Sequence, residues 1–152
     1  MKRYFTVFAC VFIALNASSQ TVVKNSVEYT SVELKAEDKT FLVLKDTAQK
    51  HLQEFIDGIN KHGNDVNNYR FAVKSDFVQD GHHEHMWSMI RTYKNGVFKG
   101  IFIDSAFIVK NIKMGDKVTI NRSKIEDWSI ENIPTGKIMG QFSIKYLESK
   151  KK

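Results

Sequence analysis

The sequence predicts an α+β domain: one N-terminal helix packed on a curled, mostly antiparallel sheet of five or six strands. Three observations lead there. One segment carries apolar residues at helical spacing, nearly everything after Arg70 reads with a period of two, and the strand-like segments follow one another through short turn signals rather than crossover helices.

Ahead of the helix, Val22 to Leu34 and Phe41 to Leu44 are rich in valine and other apolar residues, so residues 20–45 read as short strands or an extended arm. Asp46 then opens the helix. Ala48, Leu52, Phe55, Ile56 and Ile59 fall on one face, Gln49 completes a capping-box pattern with Asp46, and Gly63 after His62 is the stop. The expected span is Thr47 to His62. In the next segment Phe71, Val73 and Phe77 alternate with Lys74 and Asp76, as a half-buried strand requires. Met86 to Tyr93 and Val97 to Ile103 flank Lys94-Asn95-Gly96, where the Asn-Gly pair supplies the positive φ angles of a tight hairpin. Met114-Gly115-Asp116 turns into a strand around Val118 and Ile120, and Ile125 to Ile130 reads as another. Pro134-Thr135-Gly136 leads into a last strand, Lys137 to Leu147, in which Phe142, Ile144 and Tyr146 alternate with Ser143 and Lys145. Glycines at 100, 115, 136 and 140 would permit bends, leaving open whether the sheet stays flat or curls toward a barrel.

The first twenty residues have the layout of a secretory leader: Lys2 and Arg3, the apolar run Tyr4 to Leu15, then Asn16-Ala17-Ser18-Ser19-Gln20. Ala17 and Ser19 stand at minus three and minus one if cleavage precedes Gln20, so residues 1–19 are the expected leader. The run is shorter than the roughly 20 residues that span a bilayer, and no stable membrane span is expected once it is removed. A lipoprotein reading through Cys10 is weaker, because the apolar core continues beyond that cysteine. The expected destination is periplasmic or extracellular. Cys10 is the chain's one cysteine, so the exported domain has no disulfide or thiol chemistry. Removing Lys2 and Arg3 lowers the basic count from 23 to 21 against 17 acids, and the formal charge falls from +6 to +4. Residues 148–152 read as a solvated basic tail, and no basic stripe interleaved with aromatics points to nucleic acid.

His82-His83-Glu84-His85 is the densest ionisable cluster, placed where a polar loop enters the strand near Met86. In an extended segment His83 and His85 share a face and are the two metal-ligand candidates; a metal needs a third ligand, for which only Asp127 offers itself, so no metal or other cofactor is expected. The ordinary alternative is a polar loop of partly solvated histidines leading into a hairpin with Trp87 buried. Acid–base work by Glu84 with His85 needs a bulge, since adjacent strand residues face opposite ways. In Ile125-Glu126-Asp127-Trp128, a regular strand puts Ile125 and Asp127 on one face and Glu126 and Trp128 on the other. There the ordinary reading has Asp127 bonding backbone amides of a neighbouring turn while Trp128 fills the core; the functional one puts both at the rim of a groove. His51 and His62 have ordinary helical explanations. No G-x-S-x-G, H-E-x-x-H or phosphate-binding glycine loop is present.

Taken in order, Phe71-x-Val73-Lys74, Glu84-His85-x-Trp87, Phe98-x-Gly100, Gly115-Asp116-x-Val118, Ile125-x-Asp127-Trp128 and Gly140-x-Phe142-Ser143 resemble the YegJ-like family of bacterial domains of unknown function. The resemblance covers roughly Asp46 to Leu147. It implies one domain, 46–147, and selects Glu84, His85, Trp87, Asp127 and Trp128 as motif positions, while His82 and His83 fall outside it. Asp104-Ser105-Ala106 stands where the family pattern has an Asn-x-Pro-like turn, so the shape of that loop departs from the pattern.

The expectation is therefore an exported, non-enzymatic domain that binds a protein or small ligand near Trp87 and Trp128. The alternative is a small extracytoplasmic enzyme or metal-binding protein using Glu84, His85 and Asp127.

Overall fold

Ala48, Leu52, Phe55, Ile56 and Ile59 do form a buried stripe, but they belong to two helices rather than one. The computed structural model describes residues 39–150; the expected leader, the segment Val22 to Leu34 and the final two lysines lie outside the described residues. Helix α1 spans Lys39–Lys50 and α2 spans Leu52–His62, with a break at His51. Two expectations are corrected here. Phe41 to Leu44 is helical, not strand or arm, and Asp46 lies inside α1, so there is no capping box. Gln49 turns instead to the sheet, donating from Nε2 to the carbonyls of Ile125 at 2.5 Å and Arg122 at 3.3 Å. That tertiary anchoring outweighs the local signal. Helix α2 ends at His62, before Gly63, as expected.

Strands β1 (Tyr69–Gln79), β2 (His82–Lys94), β3 (Val97–Phe102), β4 (Lys117–Asn121), β5 (Ile125–Asn132) and β6 (Lys137–Gly140) form one open sheet of order β4-β3-β2-β1-β5-β6, with every pairing antiparallel. The β2–β3 turn has φ of 52° at Asn95 and 79° at Gly96, the left-handed pair a two-residue hairpin needs. Asp80 and Gly81 repeat it at 52° and 80°, joining β1 to β2. His82 to His85 are consequently strand residues, not a loop.

The core forms where α2 lies on the sheet. Phe55 meets Phe71, Phe98 and Trp128 with ring centroids 5.7, 5.7 and 5.9 Å apart. Full burial of each such side chain is worth about 1.5–3 kcal/mol. The β1–β2 and β1–β5 registers align Val73 with Ser88 and Trp128 on this covered side, and Lys74 with Trp87 and Asp127 on the reverse side.

The expected last strand stops at Gly140. Gly140 and Gln141 both have positive φ, 78° and 55°, and the chain then enters helix α3, Phe142–Lys150, which runs into the segment read as a tail. Burial follows the helix: Ser143 is buried while Phe142 and Ile144 are half-buried. Among the described residues, no helix is long and apolar enough to cross a membrane.

Candidate functional site

Glu84 stands on the covered side, opposite Phe77. Its carboxylate accepts the backbone N–H groups of Phe107, Ile108 and Val109 at 2.7, 3.0 and 3.0 Å. Burial works to raise its pKa, but the three amides together with Lys110 prevail and hold the carboxyl below its ordinary range. Glu84 thus fastens the loop 103–116 to the hairpin end, and it faces away from His85.

His85, on the reverse side, has found a different carboxylate. Its Nδ1 lies 2.6 Å from Glu126 Oε2, and Glu126 Oε1 lies 3.2 Å from Lys45 Nζ of α1. Glu126 was assigned to the face of Trp128 by simple alternation. It is instead the extra residue of a β-bulge, since Lys74 pairs with Asp127 but Ser75 pairs with Ile125. The bulge returns Ile125 to the core beside Trp128 and leaves the Glu126 side chain buried, 3 % exposed, between His85 and Lys45. Burial pushes this carboxyl up; the bonds to His85 and Lys45 more than reverse that and leave it low.

Asp127 makes four hydrogen bonds as acceptor: from its neighbour Trp128 N, from Phe142 N and Ser143 N at the start of α3, and from Ser143 Oγ at 2.6 Å. A strand residue thus caps a helix more than a dozen positions away, the amide-bonding role foreseen for it. Trp128 is 1 % exposed and donates from Nε1 to the Ala48 carbonyl at 3.0 Å, so it fills the core and does not rim a groove. Trp87, expected to be buried, is half-buried on the reverse side, with its backbone N–H held by Asp104. Between Trp87 and Asp127 sits Lys74, which sequence reasoning passed over as a solvated strand residue. Burial lowers its pKa, while Asp127, Glu126 and Asp104 act in the opposite direction.

His83 Nδ1 lies 2.7 Å from Asp76 Oδ2. His83 and His85 therefore each spend one ring nitrogen on a carboxylate. Among the described residues, no three His, Cys, Asp or Glu side chains gather closely enough to hold a metal ion. A cleft of about 570 Å³ lies elsewhere, with Phe77, Val78, Val109 and Lys117 in its walls.

The five motif positions thus divide. His85, Trp87 and Asp127 share the reverse side with Lys74, while Glu84 and Trp128 belong to the covered side. Glu126, Lys74 and Lys45 complete the electrostatics, and only strand register and the bulge reveal them.

Comparison with known proteins fits this frame. The chain is 36 % identical over 81 residues to the uncharacterized protein YegJ of Escherichia coli (strain K12), a match covering 53 % of this chain and 50 % of that relative. The chain therefore spans about half the length of the curated relative it matches. No solved structure matches. Residues 38–151, from just before α1 to just beyond α3, match the family described as an uncharacterized protein conserved in bacteria (DUF2314), and the chain belongs to that family.

Proposed function

We propose that this protein is an exported, non-enzymatic binding domain whose protein partner or small ligand docks on the reverse side of the sheet, at Lys74, His85 and Trp87. One observation carries the reading. The Lys74 ammonium, the Trp87 indole N–H and the outer nitrogen of His85 have no hydrogen-bond partner among the described residues, whereas the carboxylates of Glu84 and Asp127 are taken up by backbone amides. Export is supported by the leader-like residues 1–19.

The experiment is capture of a partner from envelope extract by the immobilised protein, with Trp87→Ala and Lys74→Gln compared against the wild type. A discrete partner or ligand lost from both variants, with folding intact by circular dichroism, is the expected result. Retention of that partner by Trp87→Ala would overturn the reading. N-terminal sequencing of the exported product tests the leader and should begin at Gln20.

A second reading rests on the 2.6 Å contact between His85 and Glu126. A carboxylate on Nδ1 orients an imidazole and raises the basicity of its other nitrogen, as a general base requires. In this enzyme reading Glu126 takes the part first given to Glu84. Turnover of a hydrolase substrate panel, abolished in His85→Gln, would establish it.

A further inference from the structure

The loop 103–116 combines two properties that rarely coincide. Its backbone is fastened along five consecutive residues: Glu84 accepts the N–H groups of 107, 108 and 109, and Gln79 Oε1 accepts those of Lys110 and Asn111 at 2.6 and 2.9 Å. Asp116 Oδ2 takes the N–H of Lys113 at 2.8 Å as well. Yet the loop holds large apolar side chains outward, with Phe107 68 %, Ile108 51 % and Met114 66 % exposed, and Val78 at the adjoining hairpin end is 51 % exposed. Val109, between them, is buried and roots the loop in the core. A segment fixed this firmly cannot fold its apolar residues back against the protein, so their exposure is a constant feature of the native state.

Charge selects the occupant. Lys110, Lys113 and Lys117 are exposed in and beside the loop, and among the described residues none forms an ion pair, the Lys110 ammonium donating only to the Ala106 carbonyl at 3.3 Å. Three nearby carboxylates are engaged by backbone amides, Glu84 and Asp116 by those of the loop and Asp104 by those of Trp87 and Ser105, which leaves Asp80 at the hairpin end as an exposed acid against three lysines. Exposed aromatic and aliphatic side chains on a firmly held loop that also carries exposed lysines match the boundary of an anionic bilayer. There apolar groups enter the acyl region and ammonium groups meet the headgroups. We propose that loop 103–116 docks this protein on anionic lipid membrane surfaces, through insertion of Phe107 and Ile108.

The test is cosedimentation of the exported protein with vesicles of phosphatidylglycerol mixed with phosphatidylcholine, and with vesicles of phosphatidylcholine alone. Binding to the anionic vesicles only, reduced about tenfold or more in the Phe107→Ser/Ile108→Ser double variant, is expected. A several-fold reduction with a shallower salt dependence is expected for Lys110→Gln/Lys113→Gln. All four positions are exposed, so the variants should keep the wild-type near-ultraviolet circular dichroism. Any retained leader would be common to wild type and variants, and their difference still reads the loop. Absence of binding to anionic vesicles, equal binding to both compositions, or undiminished binding by the Phe107/Ile108 variant would each overturn the proposal. Loss of a captured protein partner in that variant, without vesicle binding by the wild type, would assign the loop to protein recognition and overturn it equally.

Discussion

Asp127 illustrates how much one buried carboxylate can organise. It is 1 % exposed and accepts all four of its hydrogen bonds from groups that would otherwise be stranded in the interior, three of them at the start of α3. Asp127→Ala leaves those donors unpaired and should cost on the order of 3 kcal/mol, against about 1 kcal/mol for Ser143→Ala; urea unfolding midpoints measure both. Lys74 should behave in the opposite way. Its ammonium is held at a desolvation cost that its acidic neighbours only partly offset, so Lys74→Met is expected to raise the urea midpoint at neutral pH while abolishing ligand capture. A lowered midpoint would argue that Lys74 is structural. At this scale the sequence was legible where one side chain has one dominant preference. Trp128 goes to the core and Asp127 goes to amides. It was illegible at Glu126, because a bulge between residues 74 and 75 of β1 and its partner strand resets the alternation on which any strand-face assignment depends. Nothing in Ile125-Glu126-Asp127-Trp128 announces that extra residue.

At the scale of elements, the Asn95-Gly96 hairpin and the α2 stripe follow from local chemistry and were legible, whereas the Asp80-Gly81 turn, which uses the same left-handed φ, was read as part of a polar loop because the histidines after it mask the start of β2. The two ends of the domain did not follow. Helix α1 has only Ala48 fully buried, so it lacks a legible apolar stripe and owes its place to long-range polar contacts. Gln49 holds its C-terminal half to β5, Lys45 bonds Glu126, and Phe41 meets the His85 ring edge-on at 5.4 Å. Glu126→Gln should therefore loosen α1 selectively, giving faster amide exchange over residues 39–47 with exchange in β1 and β2 little changed. Lys45→Ala should cost about 1 kcal/mol or less, because Lys45 is partly solvated. The β6–α3 junction was misread for a related reason: Phe142, Ile144 and Tyr146 alternate as a strand would, but the left-handed turn at Gly140-Gln141 and the cap from Asp127 decide for helix. A Cβ at Gly140 would collide with the Trp128 carbonyl oxygen and ring, so Gly140→Ala should destabilise by about 3 kcal/mol or more, read as thermal unfolding.

For the molecule as a whole, two depressed carboxyls join separate pieces to one sheet. Glu126 fastens α1 and Glu84 fastens the loop 103–116, and both titrate below the ordinary value of 4.5 when folded. In the unfolded chain both take up protons near that value, so as pH falls the unfolded state binds protons first. Their contribution to stability is thus fully present above the unfolded value and is lost as pH falls through the lower folded values. Urea midpoints should accordingly be level from neutral pH down to about 5.5 and fall steeply below about 4.5. The Glu84→Gln/Glu126→Gln double variant should start from a lower midpoint at neutral pH and lose less on acidification, so the two curves converge at low pH. Parallel curves would mean that other carboxylates govern acid unfolding, and that the loop and α1 are held chiefly by their apolar contacts. Because the two glutamates hold different elements, amide exchange in mild acid should show release of α1 and of loop 103–116 before exchange rises in the central strands β1, β2 and β5. The face carrying Lys74 and Trp87 would then outlast both attachments, and ligand capture through it should persist at a pH where vesicle binding through the loop has already been lost.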